Sequence, residues 1–242
     1  MIGEARAPAG VGDVIGRMQA ILASLPAGDG VACFTRLYLT VTQNVEVQLA
    51  RTTFDDPEFL VDLDRSFAEL FFAAYEGQRR IAAWRPLFDA RNRRGIAPLQ
   101  FALAGMNAHI NRDLPVALVA ACERAGIEPH EGSPQHRDYL RVNRMLAAVE
   151  STIKDQYVTG WLHTLDKLVH PVHRLDDVVA MWDIARARDA AWTNAEALWA
   201  LRSAPAVYQR YLAALDRSVG LAGRGLLTPA DTWIGRLKRL LG

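Results

Sequence analysis

The sequence predicts an all-α fold, a single-domain bundle of about eight helices. Apolar residues recur at the helical spacing of three and four along most of the chain, and proline and glycine punctuate these periodic segments. No stretch shows the alternation and hairpin turns that are typical of β-strands. Short connections favour one helical domain over residues 13–242, and the Gly-, Ala- and Pro-rich residues 1–12 are expected to form a flexible N-terminal arm.

Three long helices are predicted in the N-terminal part. The first begins at Val11 and is ended by Pro26. The second begins near Gly30 and runs to about residue 50. Its β-branched residues are also compatible with a strand, but the period of 3.6 residues fits its apolar positions better. The third is capped by Asp56 and has Pro57 at its first position.

A short basic segment follows these helices. Pro86 is expected to interrupt it and Gly95 to close it. We interpret its basic run as a solvated turn, and a mobile, anion-binding lip over a pocket is the alternative. The run consists of Arg91, Arg93 and Arg94.

The centre of the chain is a long apolar helix that Pro98 opens and that continues to about Ala125. Pro115 should bend or break it, because proline removes one backbone donor and crowds the preceding turn. Ser133 is then predicted to cap a long amphipathic helix that reaches His170.

The last third of the chain predicts three more helices. One covers residues from about 174 to 202, and the next is expected to stop at Gly220 and Gly223. Thr228 caps a final amphipathic segment over residues 230–241. We expect this segment to pack on the bundle or on a partner subunit, and a position on a membrane surface is the alternative.

A polar cluster interrupts the apolar residues 101–120 of the central helix. His109 and Asp113 are four residues apart, so they share one helix face. Burying such groups is costly unless they satisfy one another or a ligand. The sequence therefore predicts a polar site inside an apolar helix. Its members are Asn107, His109, Asn111, Arg112 and Asp113.

Four segments resemble the bacterial family DUF5995, a domain of unknown function. They are FTRLYLTVTQNV at 34–45, GMNAHINRDLP at 105–115, DYLRVNRML at 138–146 and ARDAAWTNAEALW at 187–199. The resemblance implies an all-helical cytosolic protein and says little about activity. Seven residues at the motif positions carry over from it: Asn107, His109, Asn111, Asp113, Asn143, Arg188 and Trp192. His163, His170 and His173 lie outside the motifs.

These residues lead us to expect a small-molecule enzyme with a mostly apolar pocket between helices. In this hypothesis His109 is the general acid or base and Asp113 orients its imidazole, as in hydrolases, lyases or isomerases, with a role in specialised metabolism. Polar substrate atoms would bind to the amides of Asn107, Asn111 and Asn143. An anionic group would bind to Arg112 or Arg188, and Trp192 would form a wall of the pocket.

Two alternatives remain open. In the first, His109 and Asp113 bind a divalent metal with ligands from other helices, although the ExxH and HExxH patterns are absent. The further ligands available by type are Glu69, Glu76, His136, Asp138, Glu150 and His163. In the second, the protein is a non-catalytic ligand-binding or interaction protein, and the polar set only fixes the bundle. Such a network would join Asp113 to Arg188 and Asp189.

Composition excludes several other classes. The net charge of +1 gives no reason to expect nucleic acid as a partner. No apolar window is long enough to span a membrane, the start lacks a signal-peptide pattern, and a cytoplasmic location is expected. Cys33 and Cys122 are expected to be buried, reduced thiols. Phosphate-loop, dinucleotide and serine-hydrolase motifs are absent, and homo-oligomerisation stays open.

Overall fold

The structure, a computed structural model, describes residues 11–49, 52–77, 81–146 and 183–229, and all regular secondary structure in these ranges is helical. The chain folds as a single-domain all-α bundle, as the sequence predicts. The helices are α1 (Val11–Ser24), α2 (Gly30–Leu49), α3 (Pro57–Tyr75), α4 (Arg85–Ala90), α5 (Pro98–Ala108), a π-helical turn (His109–Asp113), α6 (Leu114–Ala125), α7 (134–146), α8 (Ile184–Ala200) and α9 (Pro205–Leu226).

Local capping chemistry sets several helix ends. Asp56 accepts a hydrogen bond from the backbone N–H of Phe59 at the start of α3, and Ser133 accepts one from His136 at the start of α7. At the end of α6, Gly126 adopts a left-handed conformation with φ 65°, which glycine reaches without a steric cost. These caps confirm the boundaries that the sequence predicts.

The central helices organise the core. α5 packs against α2 on one side and α9 on another, and α6 packs against α3 and α8. Gly105 in α5 allows the close approach to α2, because a Cβ atom at this position would lie 2.4 Å from the ring of Phe34. The π-helical turn between α5 and α6 therefore lies at the centre of the bundle.

Several predicted boundaries were wrong. Pro86 does not interrupt its segment but lies in the first turn of α4, where a missing N–H costs no helical bond. Gly220 and Gly223 do not stop α9, which continues to Leu226. Gly220 packs instead on the backbone of Ala82.

Three further differences concern the arm, the basic run and α8. α1 begins at Val11, as its apolar spacing predicts, so Val11 and Gly12 belong to this helix and not to the predicted arm. Arg93 and Arg94 are exposed, as predicted, but Arg91 is partly buried, and its Nε donates to the buried Asp29 carboxylate at 2.7 Å. α8 begins at Ile184 and not near residue 174, since Asp183 has extended backbone angles and caps the helix.

Some predictions lie outside the described residues. They concern residues 1–10 of the arm, the segment 147–182 with Glu150, His163, His170 and His173, and the final helix over 230–241. Within the described ranges, Cys33 and Cys122 are buried free thiols. No helix in these ranges combines the length and the apolar character that a membrane span requires.

Candidate functional site

The site is built on the π-helical turn between α5 and α6. The backbone N–H of Leu114 donates to the carbonyl of His109, five residues earlier, which is the π-helical pattern. Pro115 follows at the start of α6, so the change of helical pattern accommodates the proline that the sequence predicts to disturb this helix. Single π-helical turns inside α-helices are frequent at functional sites.

Asp113 is fully buried and is held by two donors from protein side chains. Its Oδ2 accepts a hydrogen bond from the indole Nε1 of Trp84 at 2.8 Å, and its Oδ1 accepts one from Nη1 of Arg112 at 2.9 Å. Charge-assisted hydrogen bonds of this kind fix the carboxylate in one orientation. In that orientation Oδ2 also faces Nδ1 of His109 at 3.4 Å.

His109 is buried in an aromatic environment. Its ring stacks on Phe67 with centroids 3.5 Å apart and nearly parallel planes, and the ring of Tyr38 lies 4.6 Å away. Burial lowers the pKa of His109, and the nearby Asp113 only partly opposes this effect, so the imidazole is neutral at physiological pH.

The two nitrogens of His109 have different environments. Asp113 beside Nδ1 favours the tautomer that carries the proton on Nδ1. Nε2 is buried and has no hydrogen-bond partner in the described part of the chain. A neutral imidazole in this tautomer presents an unshared electron pair at Nε2, which is the form of a general base.

A cavity of about 100 Å³ adjoins His109. Side chains of several helices form its walls, and most of them are apolar: Val41, Leu60, Leu63, Phe67, Met106 and Ile110. The polar residues in its lining are Tyr38, Thr42, Glu46, Asp64, His109 and Arg188. Such a cavity, apolar with a few convergent polar groups, is typical of small-molecule sites.

Tyr38 adds a second unpartnered polar atom to this cavity. Its hydroxyl is buried and, among the described residues, makes no hydrogen bond. Burial raises the pKa of Tyr38 well above its usual value, with the carboxylates of Asp64 and Asp113 as smaller causes, so the hydroxyl keeps its proton. Tyr38 and His109 thus offer a donor and an acceptor to the same space.

Arg188 enters the cavity from α8. Its Nε donates to Oδ1 of Asn143 at 2.5 Å, and its guanidinium lies 4.5 Å from the ring centre of Tyr139. Asp64 reaches the cavity from α3 without a hydrogen bond or ion pair in the described ranges. Burial raises its pKa to about 6, and the positive charge of Arg188 opposes this increase.

The structure does not bring three of the predicted substrate-binding residues to the cavity. Asn107 donates to the carbonyl of Val219 in α9, and Asn111 donates to Oδ1 of Asn107. Arg112 binds Asp113, and its Nε lies 3.8 Å from Asp216 of α9. These residues fix the central helices to α9. Asn107 and Asn111 lie two residues on either side of His109, so the helical period directs them away from its face.

Asn143 and Trp192 are also absent from the described lining. Asn143 positions Arg188 and donates to Asp189. Trp192 packs against His136 and Tyr139 and does not wall the cavity. The predicted network from Arg188 and Asp189 to Asp113 is not formed, because both residues bind Asn143 instead.

Neither Asp113 nor the other described candidates are arranged as metal ligands. Both oxygens of Asp113 already accept hydrogen bonds. In the ranges that the structure describes, no three His, Cys, Asp or Glu side chains group in a way that could hold a metal ion. The candidates have other partners: Glu69 and Glu76 pair with Arg17, His136 accepts from the Gly132 N–H, and Asp138 accepts from the N–H groups of Asp55 and Asp56.

Sequence reasoning missed three residues of the site, namely Tyr38, Asp64 and Trp84. A signal existed for Asp64, because it shares the helical spacing of Leu60 and Phe67 and so places a carboxyl within an apolar stripe. Tyr38 and Trp84 gave no such signal, since aromatic residues at helical spacing usually belong to the core.

The fold and the site define a class, a single-domain helical bundle with a largely apolar cavity beside a buried His–Asp pair. The chain belongs to a family of unknown function, DUF5995, whose family model matches residues 11–229. The resemblance that the motifs indicate is thereby confirmed. No curated protein matches the chain, and no solved structure does.

Proposed function

We propose that the protein is a small-molecule enzyme in which His109 acts as general base and Asp113 orients it. The observation that carries this proposal is that Nε2 of His109 at the cavity has no partner among the residues that the structure describes, while Nδ1 is directed to Asp113. A histidine that only joined helices would have partners at both nitrogens, because buried polar atoms are nearly always hydrogen-bonded.

A second unpartnered atom supports the same proposal. The hydroxyl of Tyr38 is buried beside the same cavity. Two polar atoms there lack a partner within the described ranges, and they cost stability unless a ligand engages them. Active sites commonly accept such a cost, since the interactions are completed only by the substrate.

The chemistry that fits this arrangement is proton transfer. His109 would take a proton from a substrate carbon or from an attacking water, and Asp113 would stabilise the imidazolium that forms. Tyr38 would donate its proton to the atom on which negative charge develops. Reactions of this kind include those of isomerases, lyases and hydrolases. We propose a cytoplasmic location, because the buried free thiols of Cys33 and Cys122 fit a reducing compartment.

The ring opening of 1,2-benzisoxazole tests for the base. Removal of its C3 proton breaks the N–O bond and gives 2-cyanophenolate, so the reaction needs a base in an apolar site and no other group. We expect the wild type to accelerate this reaction, with a rate that falls at acidic pH as His109 takes up a proton. His109→Asn should abolish the acceleration, because the Asn amide nitrogen replaces Nδ1 and nothing replaces Nε2.

Thermal unfolding of the same variant separates the proposal from a structural role. Both variants lose the stacking of the ring on Phe67, but His109→Asn keeps a donor to Asp113, so it should lower the melting temperature less than His109→Gln does. Equal ring-opening rates for the wild type and His109→Asn would overturn the proposal. Binding of the probe without turnover would favour a non-catalytic ligand-binding protein.

A further inference from the structure

Arg188 is a buried cation that side-chain contacts hold rigidly at the cavity. Only 7% of the residue is exposed. Asn143 accepts from its Nε, Tyr139 lies against its guanidinium, and the Tyr139 hydroxyl donates to the backbone carbonyl of Arg188 at 2.6 Å. A group fixed in this way loses little further freedom when it binds a ligand.

No carboxylate pairs with this cation in the part of the chain that the structure describes. Asp189, its sequence neighbour, accepts from Asn143, and the two acidic residues of the cavity, Glu46 and Asp64, form no ion pair with Arg188. Buried charges in proteins are normally paired, because an isolated charge loses its hydration without compensation. Among the described residues, Arg188 is therefore a buried cation without an anionic partner.

The acidic residues of the cavity do not have the same need. Glu46 is half-buried at a position that water reaches, and Asp64 can neutralise itself by taking up a proton. A guanidinium cannot lose its charge in a protein. Of the charged groups at the cavity, Arg188 is thus the one that only a negatively charged partner can satisfy.

The size and the walls of the cavity limit the rest of the ligand. Its volume of about 100 Å³ is of the same order as the roughly 150 Å³ of an apolar cavity that admits benzene. The apolar side chains of α2, α3 and the central helices leave hydrogen bonding to a few atoms. A single ring or a short branched chain fits these limits.

We propose that the cavity binds small apolar carboxylic acids, with the carboxylate on the guanidinium of Arg188 and the apolar part facing His109. The role of such an acid as substrate rests on the proposed function, but its binding does not. Arg188 is then the residue that selects the substrate class, and Asn143 is a positioning residue that acts through Arg188.

Calorimetric titration with benzoate and with its neutral isostere benzamide tests this assignment. We expect the wild type to bind benzoate at least about tenfold more tightly than benzamide. Arg188→Met should lose this preference, and Arg188→Lys should retain part of it. The matched control is Arg186→Met, since Arg186 lies on the same helix with an exposed side chain paired to Asp183.

The pH dependence provides a readout that needs no variant at Arg188. The titratable groups at the cavity are Tyr38, Glu46, Asp64 and His109, and Asp64 is the one whose pKa is raised to about 6. Protonation of Asp64 removes a negative charge near the ligand, so benzoate should bind severalfold more tightly at pH 5.5 than at pH 7.5. Asp64→Asn should bind benzoate more tightly at pH 7.5 and remove most of the pH dependence.

The outcomes separate this inference from the proposed function. His109→Asn should keep the preference for benzoate over benzamide, because the charge that gives this preference lies on Arg188, so a base that fails in the ring-opening test leaves the carboxylate site standing. Equal affinities for benzoate and benzamide in the wild type would overturn the carboxylate site and leave the base untouched. Tighter binding of benzylamine than of benzoate, lost in Asp64→Asn, would also overturn it, because the charge that selects the ligand would then be Asp64.

Discussion

Trp84 donates its indole N–H to Oδ2 of Asp113, the same oxygen that faces Nδ1 of His109. Both partners are fully buried. The tryptophan thus fixes the carboxylate that orients the imidazole. It lies in the segment before α4 and is not among the described residues that line the cavity. Its hydrogen bond joins the packing of the core to the geometry of the site.

Replacement of Trp84 by phenylalanine should destabilise the fold more than the loss of ring area alone. The variant leaves a buried carboxylate oxygen without its donor, which costs about 1–3 kcal/mol beyond the change in packing. Urea-induced unfolding followed by circular dichroism measures this difference.

Trp199→Phe is the matched control for this measurement. Trp199 is also buried, but its indole N–H has no hydrogen-bond partner in the described ranges. Its replacement therefore removes ring area without removing a hydrogen bond. If the two variants lost the same free energy of unfolding, the bond from Trp84 to Asp113 would carry no special weight.

The parts of the fold that could be predicted from sequence are those with local causes. Asp56, Ser133 and Gly126 act on backbone groups within a few residues, so their chemistry is readable in the chain itself. Gly220 was misread because its role depends on the carbonyl of Ala82, which comes from a distant part of the chain. Glycine often ends a helix, but at this position it allows two segments to pack closely.

The same division applies to the site. The pair of His109 and Asp113 lies within one helical turn, so its geometry could be predicted from spacing. Arg188 was named from a motif, and its position at the cavity depends on how α8 packs. Asn107 carries the same kind of polar side chain as a substrate ligand would, but only the packing of α9 decides that it binds Val219. Sequence identifies the polar group types, and tertiary packing decides which of them meet.

Asp64→Asn should stabilise the protein at neutral pH. The pKa of Asp64 rises from its ordinary value of 3.8 to about 6 on folding, so the folded state binds more protons than the unfolded state between these values. The free energy of unfolding therefore decreases as the pH rises through this window. At pH values above the window the loss reaches roughly 3 kcal/mol. Unfolding titrations at pH 4 and pH 7.5 should show a gain for Asp64→Asn at the higher pH and little effect at the lower one.

Asp62→Asn serves as the control, because Asp62 lies two residues earlier on α3 and pairs with Arg124 near the surface. Its replacement should cost at most about 1 kcal/mol at neutral pH. A destabilised Asp64→Asn at pH 7.5 would contradict the assignment of Asp64 as a desolvated carboxyl without an ion pair in the described ranges.

The stability of the wild type should depend on His109 in the opposite pH direction. Burial lowers the pKa of His109, so the unfolded state binds more protons below the ordinary value of 6.5, and stability falls as the pH decreases through that value. Between pH 7.5 and pH 5.5 the wild type should therefore lose more free energy of unfolding than His109→Asn. A larger loss in the variant would indicate that His109 is charged in the folded protein.

Gly220→Ala tests the packing of α9, whose Val219 carbonyl accepts a hydrogen bond from Asn107 of α5. A Cβ atom at this position would lie 2.4 Å from the backbone oxygen of Ala82, and a backbone atom cannot rotate away as a side chain can. Asp216, one helical turn before Gly220, accepts hydrogen bonds from the backbone N–H groups of Ala82 and Ala83. The segment with Ala82 therefore cannot shift without breaking these bonds. We expect a loss of about 1–3 kcal/mol in unfolding free energy.

Gly225→Ala in the same helix is the control, because a Cβ atom there would meet nothing within 4 Å. This variant should be neutral or stabilise by up to about 1 kcal/mol, since alanine has the higher helix propensity. If both variants behaved alike, helix propensity would explain the result and the close contact between Gly220 and Ala82 would not.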